Sequence, residues 1–192
     1  MTVCVAALAD DGKTVVYAAD KMIGTGFIET ELGQEKILPL GDRWRVLISG
    51  NNIAPAFDIV DRARDKLATT GATTYKAAAA AMEEAWAEKR LEAAEALYLR
   101  PRGMTVPDFL KERLQNPDSA SVKDLDNKVS SHEFSLHLLV AGFDNGDGRI
   151  FSLYDEDRGR SRRHDVPGFH AVGSGWVSAI RMMLSLLRTR SS

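Results

Sequence analysis

Thr2 is the residue of this chain whose position most favours chemistry. It follows Met1 directly and opens the apolar segment TVCVAAL. Methionine aminopeptidases remove the initiator methionine when the next side chain is small, so Thr2 would become the N-terminal residue. Its hydroxyl would then attack a carbonyl carbon, and its own α-amine, with an ordinary pKa near ~8, would accept the hydroxyl proton. If Met1 stays, Thr2 is simply a small residue that begins a strand.

The segment after Thr2 predicts a β-hairpin that returns a carboxylate to it. Asp11-Gly12 is a strong turn signal between TVCVAAL and the β-branched run KTVVYAAD. In a hairpin the numbers of two facing residues have a constant sum, which defines the register. The sum is 23 if the loop has two or four residues centred on this pair, and 22 if it has three residues centred on Asp11. Either register places Asp20 beside Thr2.

Lys36 is the next candidate, sixteen positions after Asp20. The segment between them contains three glycines and suits a turn followed by a third extended stretch. A lysine close to Thr2 would lower the pKa of the Thr2 hydroxyl by its positive charge, and Asp20 would keep that lysine charged and oriented. The alternative is a solvated lysine on a strand.

The elements that must position these residues follow in order. WRVLISG predicts a buried strand ending at Gly50. A first helix, capped by Asn51 or Asn52 with Pro55 in its first turn, ends at Gly71. A second helix begins near residue 73 or 74, and its rough apolar stripe consists of Tyr75, Ala79, Met82, Trp86, Leu91 and Leu97.

The second half of the chain begins with a polar segment, residues 100–133, that contains one helix-like piece, PDFLKERL. A surface flap, an intersubunit arm and a partly disordered loop all fit it. FSLHLLVAGFD and RIFSLYDED then predict two strands joined by the hairpin turn DNGDG, and an apolar helix follows the segment Gly173–Gly175. DRGRSRRHD is a basic cluster in a predicted loop, either solvated or attractive to an acidic partner.

Composition excludes several classes of function. A net charge of -2 gives no broad electrostatic footprint for nucleic acid or anionic membrane. No segment approaches the ~20 apolar residues of a membrane span. Cys4 is the single cysteine, so no internal disulfide forms, which suits a reducing, cytoplasmic compartment; we expect Cys4 to be a small core residue. The four histidines lack metal-ligand spacing, and only His170 is close enough in sequence to Ser174 to line a shared pocket.

Thr2, Asp20 in YAADK and Lys36 in GQEKILPL together resemble the catalytic residues of the proteasome β-subunit family and its bacterial relative HslV. The resemblance extends from Thr2 to about Arg188, with residues 100–133 as an insertion. It assigns to the Gly50 amide the stabilisation of an oxyanion, where each such donor is typically worth ~3 kcal/mol. It assigns to Ser174 a hydrogen bond with the threonine amine. Without the family resemblance, we would expect Gly50 to mark a strand-to-helix turn and Ser174 to cap a helix.

The resemblance implies a fold as well. We expect an α+β protein of the N-terminal nucleophile class, with one domain over residues 1–192 and a four-layer αββα sandwich. The family's further helix and final strand after the Gly-Ser-Gly helix have no counterpart before Ser192. The resemblance therefore implies either a fold trimmed at its C-terminal side or one completed by a neighbouring subunit.

The function implied is that of a threonine-type amide-bond hydrolase that forms an acyl ester on Thr2 after Met1 removal. Peptides or unfolded proteins are its expected substrates, and neither a metal nor an organic cofactor is required. A ring or stacked-ring homo-oligomer, served by a separate ATPase, is the expected assembly. Two alternatives stay open: a catalytically inactive scaffold or assembly subunit of the same fold, and an amidase for small molecules.

Overall fold

Antiparallel strands and α-helices make up most of this chain in a computed structural model that describes residues 2–20, 22–24, 29–31 and 35–189. The described residues form ten strands: β1 Cys4–Ala9, β2 Thr14–Ala19, β3 Met22–Gly24, β4 Glu29–Glu31, β5 Ile37–Leu40, β6 Trp44–Gly50, β7 Leu136–Asp144, β8 Asp147–Tyr154, β9 Ser161–Arg163 and β10 Phe169–Val172. They also form five α-helices: α1 Ala54–Thr70, α2 Tyr75–Ala94, α3 Val106–Gln115, α4 Ala120–Ser130 and α5 Trp176–Thr189. The α+β class predicted from the sequence is confirmed.

The β1–β2 hairpin has one of the two predicted registers. Cys4 pairs with Ala19 and Ala9 with Thr14, so paired residue numbers sum to 23 and the loop contains four residues. The register continues past the strands, because the Asp20 amide donates a hydrogen bond to the Val3 carbonyl at 3.1 Å. Asp20 therefore lies at the N-terminal end of β1, within one residue of Thr2.

Within the described ranges the strands form three antiparallel sheets. The first has the order β10-β1-β2 and the second the order β5-β6-β7-β8-β9. β3 and β4 form a separate pair in the segment for which a turn and a third extended stretch were predicted. Two of the three glycines of that segment, Gly26 and Gly33, lie outside the described residues.

The five-stranded sheet has an apolar core on each of its faces. Alternate residues of β6, including Val46 and Ile48, belong to a cluster with α1 and α2, whereas Leu47 belongs to a cluster with β1 and β10. This alternation follows from the two-residue side-chain period of a strand. The helices α1 and α2 therefore cover one face of the sheet, and the three-stranded sheet covers the other.

The first predicted helix ends where expected, but its N-cap is Ile53 rather than Asn51 or Asn52. Asn52 Oδ1 accepts a hydrogen bond from the Ala54 amide at 3.2 Å, Pro55 lies in the first turn, and Gly71 ends α1 in a left-handed conformation with φ 63°. Thr74 caps α2 by accepting from the Ala77 amide.

The predicted stripe of α2 is wrong at its C-terminal end. Leu91 and Leu97 are 45% and 57% exposed. Leu91 lies five residues after the fully buried Trp86, which at 100° per residue places it about 140° from the buried face. Residues 95–99 form a π-helical turn, whose wider winding brings Leu99 rather than Leu97 into the interior.

Residues 100–133 are helical to a greater extent than predicted. α3 contains the predicted helix-like piece and begins with a capping box between Thr105 and Asp108. α4 was not predicted, because only Val122 and Leu125 are buried on it among polar residues. With Leu99 and Phe109 these two side chains form a separate small core, and α4 packs against α2 and its π-helical turn.

The basic cluster lies partly on a strand and not wholly in a loop as predicted. Ser161–Arg163 is β9, at the edge of the five-stranded sheet. Arg162 forms an ion pair with Asp157, and Arg163 forms one with Asp165. These carboxylates offset much of the positive charge on which the predicted attraction to an acidic partner depends.

The last helix, α5, contacts β10 and β1 of the three-stranded sheet. Several of its apolar side chains are exposed, namely Trp176, Val177, Met182 and Leu184. In the part of the chain that the structure describes, no helix combines the length and apolarity needed to cross a membrane.

The packing of Gly159 against Trp86 yields a stability prediction. Gly159 has φ +73°, and a Cβ there would lie 2.3 Å from the Trp86 ring, so Gly159→Ala should lower the free energy of unfolding by about 3 kcal/mol through overpacking and backbone strain. Gly103→Ala is the matched control, since Gly103 has φ +70° with no atom within 4 Å, and should cost only about 1 kcal/mol. Urea unfolding measures both, and equal losses would contradict the packing argument.

Candidate functional site

The five sequence-predicted residues fall into two groups. Thr2, Gly50 and Ser174 line one cavity of about 450 Å³. Asp20 and Lys36 form an ion pair, with 2.6 Å between Asp20 Oδ1 and Lys36 Nζ. The backbone of Val3 connects the groups, because its amide donates to Asp20 Oδ2 at 3.3 Å.

The Gly-Ser-Gly segment folds closely around the backbone of Thr2. The Thr2 nitrogen donates a hydrogen bond to Ser174 Oγ at 2.9 Å, and the Gly175 amide donates to the Thr2 carbonyl at 3.0 Å. A Cβ on Gly173, which has φ +99°, would lie 2.4 Å from that carbonyl oxygen. The close approach therefore requires glycine at this position. The resemblance pairs the same two residues, through the threonine amine that Met1 removal would expose.

Lys36 is buried rather than solvated. Its side chain is 3% exposed and that of Asp20 is 26% exposed. The Ile48 amide donates to the Lys36 carbonyl at 3.0 Å, which fixes the lysine backbone beside β6. A buried ammonium must retain a negative partner, because taking either charge out of water alone costs several kcal/mol. The pair therefore places a fixed positive charge next to the start of β1.

The register of β6 gives the direction of the Gly50 amide. The Asn51 amide donates to the Ser135 carbonyl on the β7 side, whereas the Ile48 amide donates to the Lys36 carbonyl on the β5 side. Because amides alternate between the two edges of an antiparallel strand, the Gly50 amide lies on the β5 edge, the same edge as Lys36. A Cβ on Gly50 would lie 2.4 Å from the Ser135 carbonyl oxygen, so the close strand contact requires glycine.

The sequence matches no family model and no curated protein. The roles of these residues therefore rest on their chemistry and on the geometry given above. Met1, on which the predicted processing depends, lies outside the described residues.

Cys4 lies behind this site and is fully buried, as predicted. Its Sγ donates to the Ile48 carbonyl at 3.4 Å. Burial raises the pKa of the Cys4 thiol to about 12, with the Lys36 charge opposing the shift and the Asp20 charge adding to it. The thiol is therefore protonated at neutral pH and is a poor nucleophile.

A second cavity, of about 370 Å³, adjoins the first and is lined by aromatic and histidine rings. His164 and His170 stack with 3.6 Å between ring centroids, and the Tyr154 hydroxyl is 2.5 Å from His170 Nε2. Burial and the His164 ring lower the pKa of His170 to about 4. Burial and the Arg162 charge lower the pKa of His164 as well, so both rings are neutral at pH 7.

Sequence reasoning missed most residues of these two cavities, including Tyr154, Asp155 and Glu156. A signal for them exists in the two-residue loop Asn145-Gly146, which is typical of a tight hairpin and pairs Asp144 with Asp147. Extending that register places Asp155 opposite Leu136 and Glu156 opposite Ser135. The Asn145-Gly146 turn therefore predicts that Asp155 and Glu156, which follow β8, lie opposite the start of β7, where the cavity is.

The buried ion pair gives a prediction about stability. Asp20→Asn should lower the free energy of unfolding by about 3 kcal/mol, because it leaves the Lys36 charge buried without its carboxylate partner. Asp124→Asn is the matched control, since it removes the carboxylate of an exposed i,i+4 pair with Lys128 and should cost at most about 0.5 kcal/mol. Urea unfolding at pH 7 compares them, and similar losses would show that Lys36 does not depend on Asp20.

The histidine stack predicts how stability depends on pH. Because the pKa of His170 in the folded protein is about 4, below the ordinary value of 6.5, the unfolded chain binds the proton more readily. The stabilisation is present above pH ~6.5 and is lost as the pH falls toward ~4, by at most about 1.4 kcal/mol for each pH unit. His170→Phe should flatten this slope in unfolding experiments between those pH values; an unchanged slope would contradict the assignment.

Proposed function

We propose that this protein is a threonine-type amide-bond hydrolase whose nucleophile is the Thr2 hydroxyl after Met1 has been removed. The observation that carries the proposal is the hydrogen bond from the Thr2 nitrogen to Ser174 Oγ, at the edge of a cavity that Gly50 also lines. An N-terminal nucleophile needs its nitrogen held and oriented, because that nitrogen is the general base.

The reaction follows from the groups present. The Thr2 amine takes the hydroxyl proton as the hydroxyl oxygen bonds to the carbonyl carbon of the substrate. The Gly50 amide stabilises the oxyanion that forms. The carbon–nitrogen bond then breaks, the amine transfers its proton to the leaving nitrogen, and an ester on Thr2 remains. Water attacks the ester with the same amine as base, releasing the acid and restoring the hydroxyl.

The buried ion pair supports this chemistry electrostatically. The Lys36 ammonium is held by Asp20, which also binds the Val3 amide at the start of β1, and its burial weakens solvent screening. It stabilises negative charge that develops on the Thr2 oxygen and on the oxyanion. Asp20 acts as a positioning residue, because it contacts both Lys36 and the Val3 amide.

Within the α+β class, we propose a more specific fold, a four-layer αββα sandwich of the N-terminal nucleophile class, and the arrangement of elements supports it. Helices α1 and α2, the five-stranded sheet, the three-stranded sheet and α5 follow one another in contact. The exposed apolar side chains of α5 support a homo-oligomer, for which we propose a ring or stacked-ring form with peptide substrates.

The test is the intact mass of protein isolated from its own cells, before and after treatment with a peptide epoxyketone. The Thr2 hydroxyl adds to the ketone and the Thr2 amine opens the epoxide, so the whole probe is added and nothing leaves. We expect the mass without Met1 and one adduct. A retained Met1 with no adduct would overturn the hydrolase and favour the inactive scaffold.

Variants connect the adduct to turnover of peptide amides. Thr2→Ala, which still permits Met1 removal, should abolish the adduct and lower amide hydrolysis at least about 10³-fold. Thr2→Ser should keep both, whereas Thr69→Ala, on the exposed surface of α1, should resemble the unmodified chain. Hydrolysis of small amides but not of peptides would favour the small-molecule amidase.

A further inference from the structure

Asp155 lies where β8 leaves the five-stranded sheet, beside the cavity of Thr2. The last pair between β7 and β8 is His137 with Tyr154. After this pair the chain turns away from β7, since the Gly159 amide donates to the Tyr154 carbonyl at 2.9 Å. The amides at the start of β7 therefore lie beyond the end of β8, and they need other acceptors because a buried amide without one is costly.

One oxygen of the Asp155 side chain takes the place of the strand. Oδ2 accepts hydrogen bonds from the Phe134 amide at 3.0 Å and from the Leu136 amide at 2.8 Å. Asp155 is only 7% exposed, so water competes weakly for these bonds. Hydrogen bonds to an ionised acceptor are about twice as strong as bonds between neutral groups. We call this contact between the carboxylate and residues 134–136 the Asp155 clamp.

The clamped segment has an unusual backbone conformation. Ser135, which lies between the two donors, has φ 55°, in the left-handed region that favours glycine. A residue other than glycine keeps such a conformation only where surrounding contacts hold it, and these conformations cluster at functional sites. The Asp155 clamp supplies that restraint, because it binds the amides on both sides of Ser135.

The end of β6 lies directly against the clamped segment. The Asn51 amide donates to the Ser135 carbonyl at 3.0 Å, and Gly50 is paired with Leu136. A Cβ on Gly50 would lie 2.4 Å from the Ser135 carbonyl oxygen, so the two backbones are in close contact. A displacement of Ser135 would therefore move the peptide units on both sides of Gly50, and with them the direction of the Gly50 amide.

The carboxylate of Asp155 is held by these amides rather than by a cation. Among the residues that the structure describes, Asp155 forms no ion pair, and its Oδ1 is buried without a hydrogen-bond partner. His132 is close enough for the Asp155 charge to act on it. Burial nevertheless lowers the pKa of His132, with the Arg90 charge adding to the shift, so the ring is neutral at pH 7. The Phe134 and Leu136 amides are therefore the donors that stabilise this buried group.

We propose that Asp155 is a positioning residue for the oxyanion donor: its carboxylate holds residues 134–136, which in turn fix the end of β6 and the Gly50 amide. A misplacement of about 1 Å in such a site can lower a rate about 10²-fold. The effect on rate rests on the proposed hydrolase, whereas the effect on the backbone requires no hydrolysis. Asp155 acts through Gly50 and takes no part in bond making or breaking.

Substitutions at Asp155 separate the acceptor oxygen from the size of the side chain. Asp155→Leu keeps the approximate size and removes both oxygens, whereas Asp155→Asn keeps one oxygen for the two amides and removes the charge. Asp165→Leu and Asp165→Asn are the matched controls. Asp165 also accepts a β8 amide through its side chain, that of Ile150 at 3.1 Å, but it lines a cavity beside the β1–β2 loop.

The backbone is measured first, in Thr2→Ala, so that no turnover is involved. Gly50-Asn51 is the single Gly-Asn step in the sequence, so carbonyl-13C glycine with 15N asparagine gives one NMR correlation, that of the Asn51 amide. We expect its hydrogen exchange to be at least about tenfold faster in Asp155→Leu and about threefold faster in Asp155→Asn, but at most about twofold faster in either Asp165 variant. Unchanged exchange in the Asp155 variants, or equal acceleration in those of Asp165, would overturn the proposal.

A second labelling reports the Gly50 amide itself. Ser49-Gly50 and Ser174-Gly175 are the two Ser-Gly steps of the sequence, so carbonyl-13C serine with 15N glycine, introduced by cell-free synthesis, gives two correlations. Ser174→Ala identifies the Gly175 signal by removing it. We expect Asp155→Leu to shift the Gly50 signal and to leave the Gly175 signal in place. An unshifted Gly50 signal, or equal shifts of both, would contradict a local effect on β6.

A second substitution tests whether the position of the turn is what Asp155 supplies. Glycine adopts the left-handed conformation without strain, so Ser135→Gly combined with Asp155→Leu should return the Gly50 signal toward its original position. The absence of any return would show that Asp155 does not act through Ser135. If Asp155→Leu does not fold, Asp155→Asn carries both NMR measurements, because its oxygen still accepts the two amides.

Hydrolysis then separates the positioning role from the proposed function. With Thr2 intact, Asp155→Leu should lower kcat for a peptide amide at least about 10²-fold with KM changed less than about threefold, as for loss of an oxyanion donor. Asp155→Asn should lose at most about fivefold, and Asp165→Leu at most about twofold. If the unmodified chain hydrolyses no amide while Asn51 exchange responds as expected, the hydrolase fails and the clamp stands. If amides are hydrolysed and Asp155→Leu loses no more than Asp165→Leu, the positioning role fails and the hydrolase stands.

Discussion

The ion pair between Asp20 and Lys36 joins the two main sheets at the end where Thr2 lies. Asp20 follows β2 of the three-stranded sheet, and Lys36 precedes β5 of the five-stranded sheet. Because the lysine is buried, each charge requires the other, and a small separation of the sheets would leave an uncompensated charge in a medium of low dielectric. An apolar contact has no comparable directional requirement, since hydrophobic attraction is non-directional. The pair therefore restricts how the sheets can be aligned, and with them the start of β1.

Much of what surrounds Thr2 follows from that alignment. Asp20 also holds the Val3 amide, and the Gly-Ser-Gly segment encloses Thr2 from the β10 side. Small side chains between the sheets, such as Cys4 and Ala6, keep the facing strands close. The raised pKa of the Cys4 thiol is a consequence of this packing, because a site dry enough to hold an ammonium also disfavours a thiolate.

Local sequence signals predicted the parts of the fold whose geometry is local. The Asp11-Gly12 turn limited the hairpin to two registers, both of which return Asp20 to Thr2, and Pro55 and Gly71 indicated the first turn and the end of α1. The α4 helix was not predicted because its apolar face is short. Its buried side chains pack against residues that are distant in sequence, including Leu99 of the π-helical turn. The sequence also suggested a solvated Lys36 when read alone, since burial of a charge depends on a partner in another sheet. The carboxylates that line the cavity of Thr2 are non-local in the same way, because Glu133 precedes β7 while Asp155 and Glu156 follow β8.

The π-helical turn at the end of α2 has a consequence for how this chain can vary in length. A π-helical turn holds one residue more than an α-helical turn, so a residue inserted or deleted there is taken up locally. Residues upstream, from Trp86 back through the alanine-rich face of α2, keep their positions against the five-stranded sheet. The π-helical turn thus lies between the main core and the small core that Leu99 forms with α3 and α4. We expect a change in the length of the α3–α4 unit to leave the packing of the sheet that carries Gly50 unaltered.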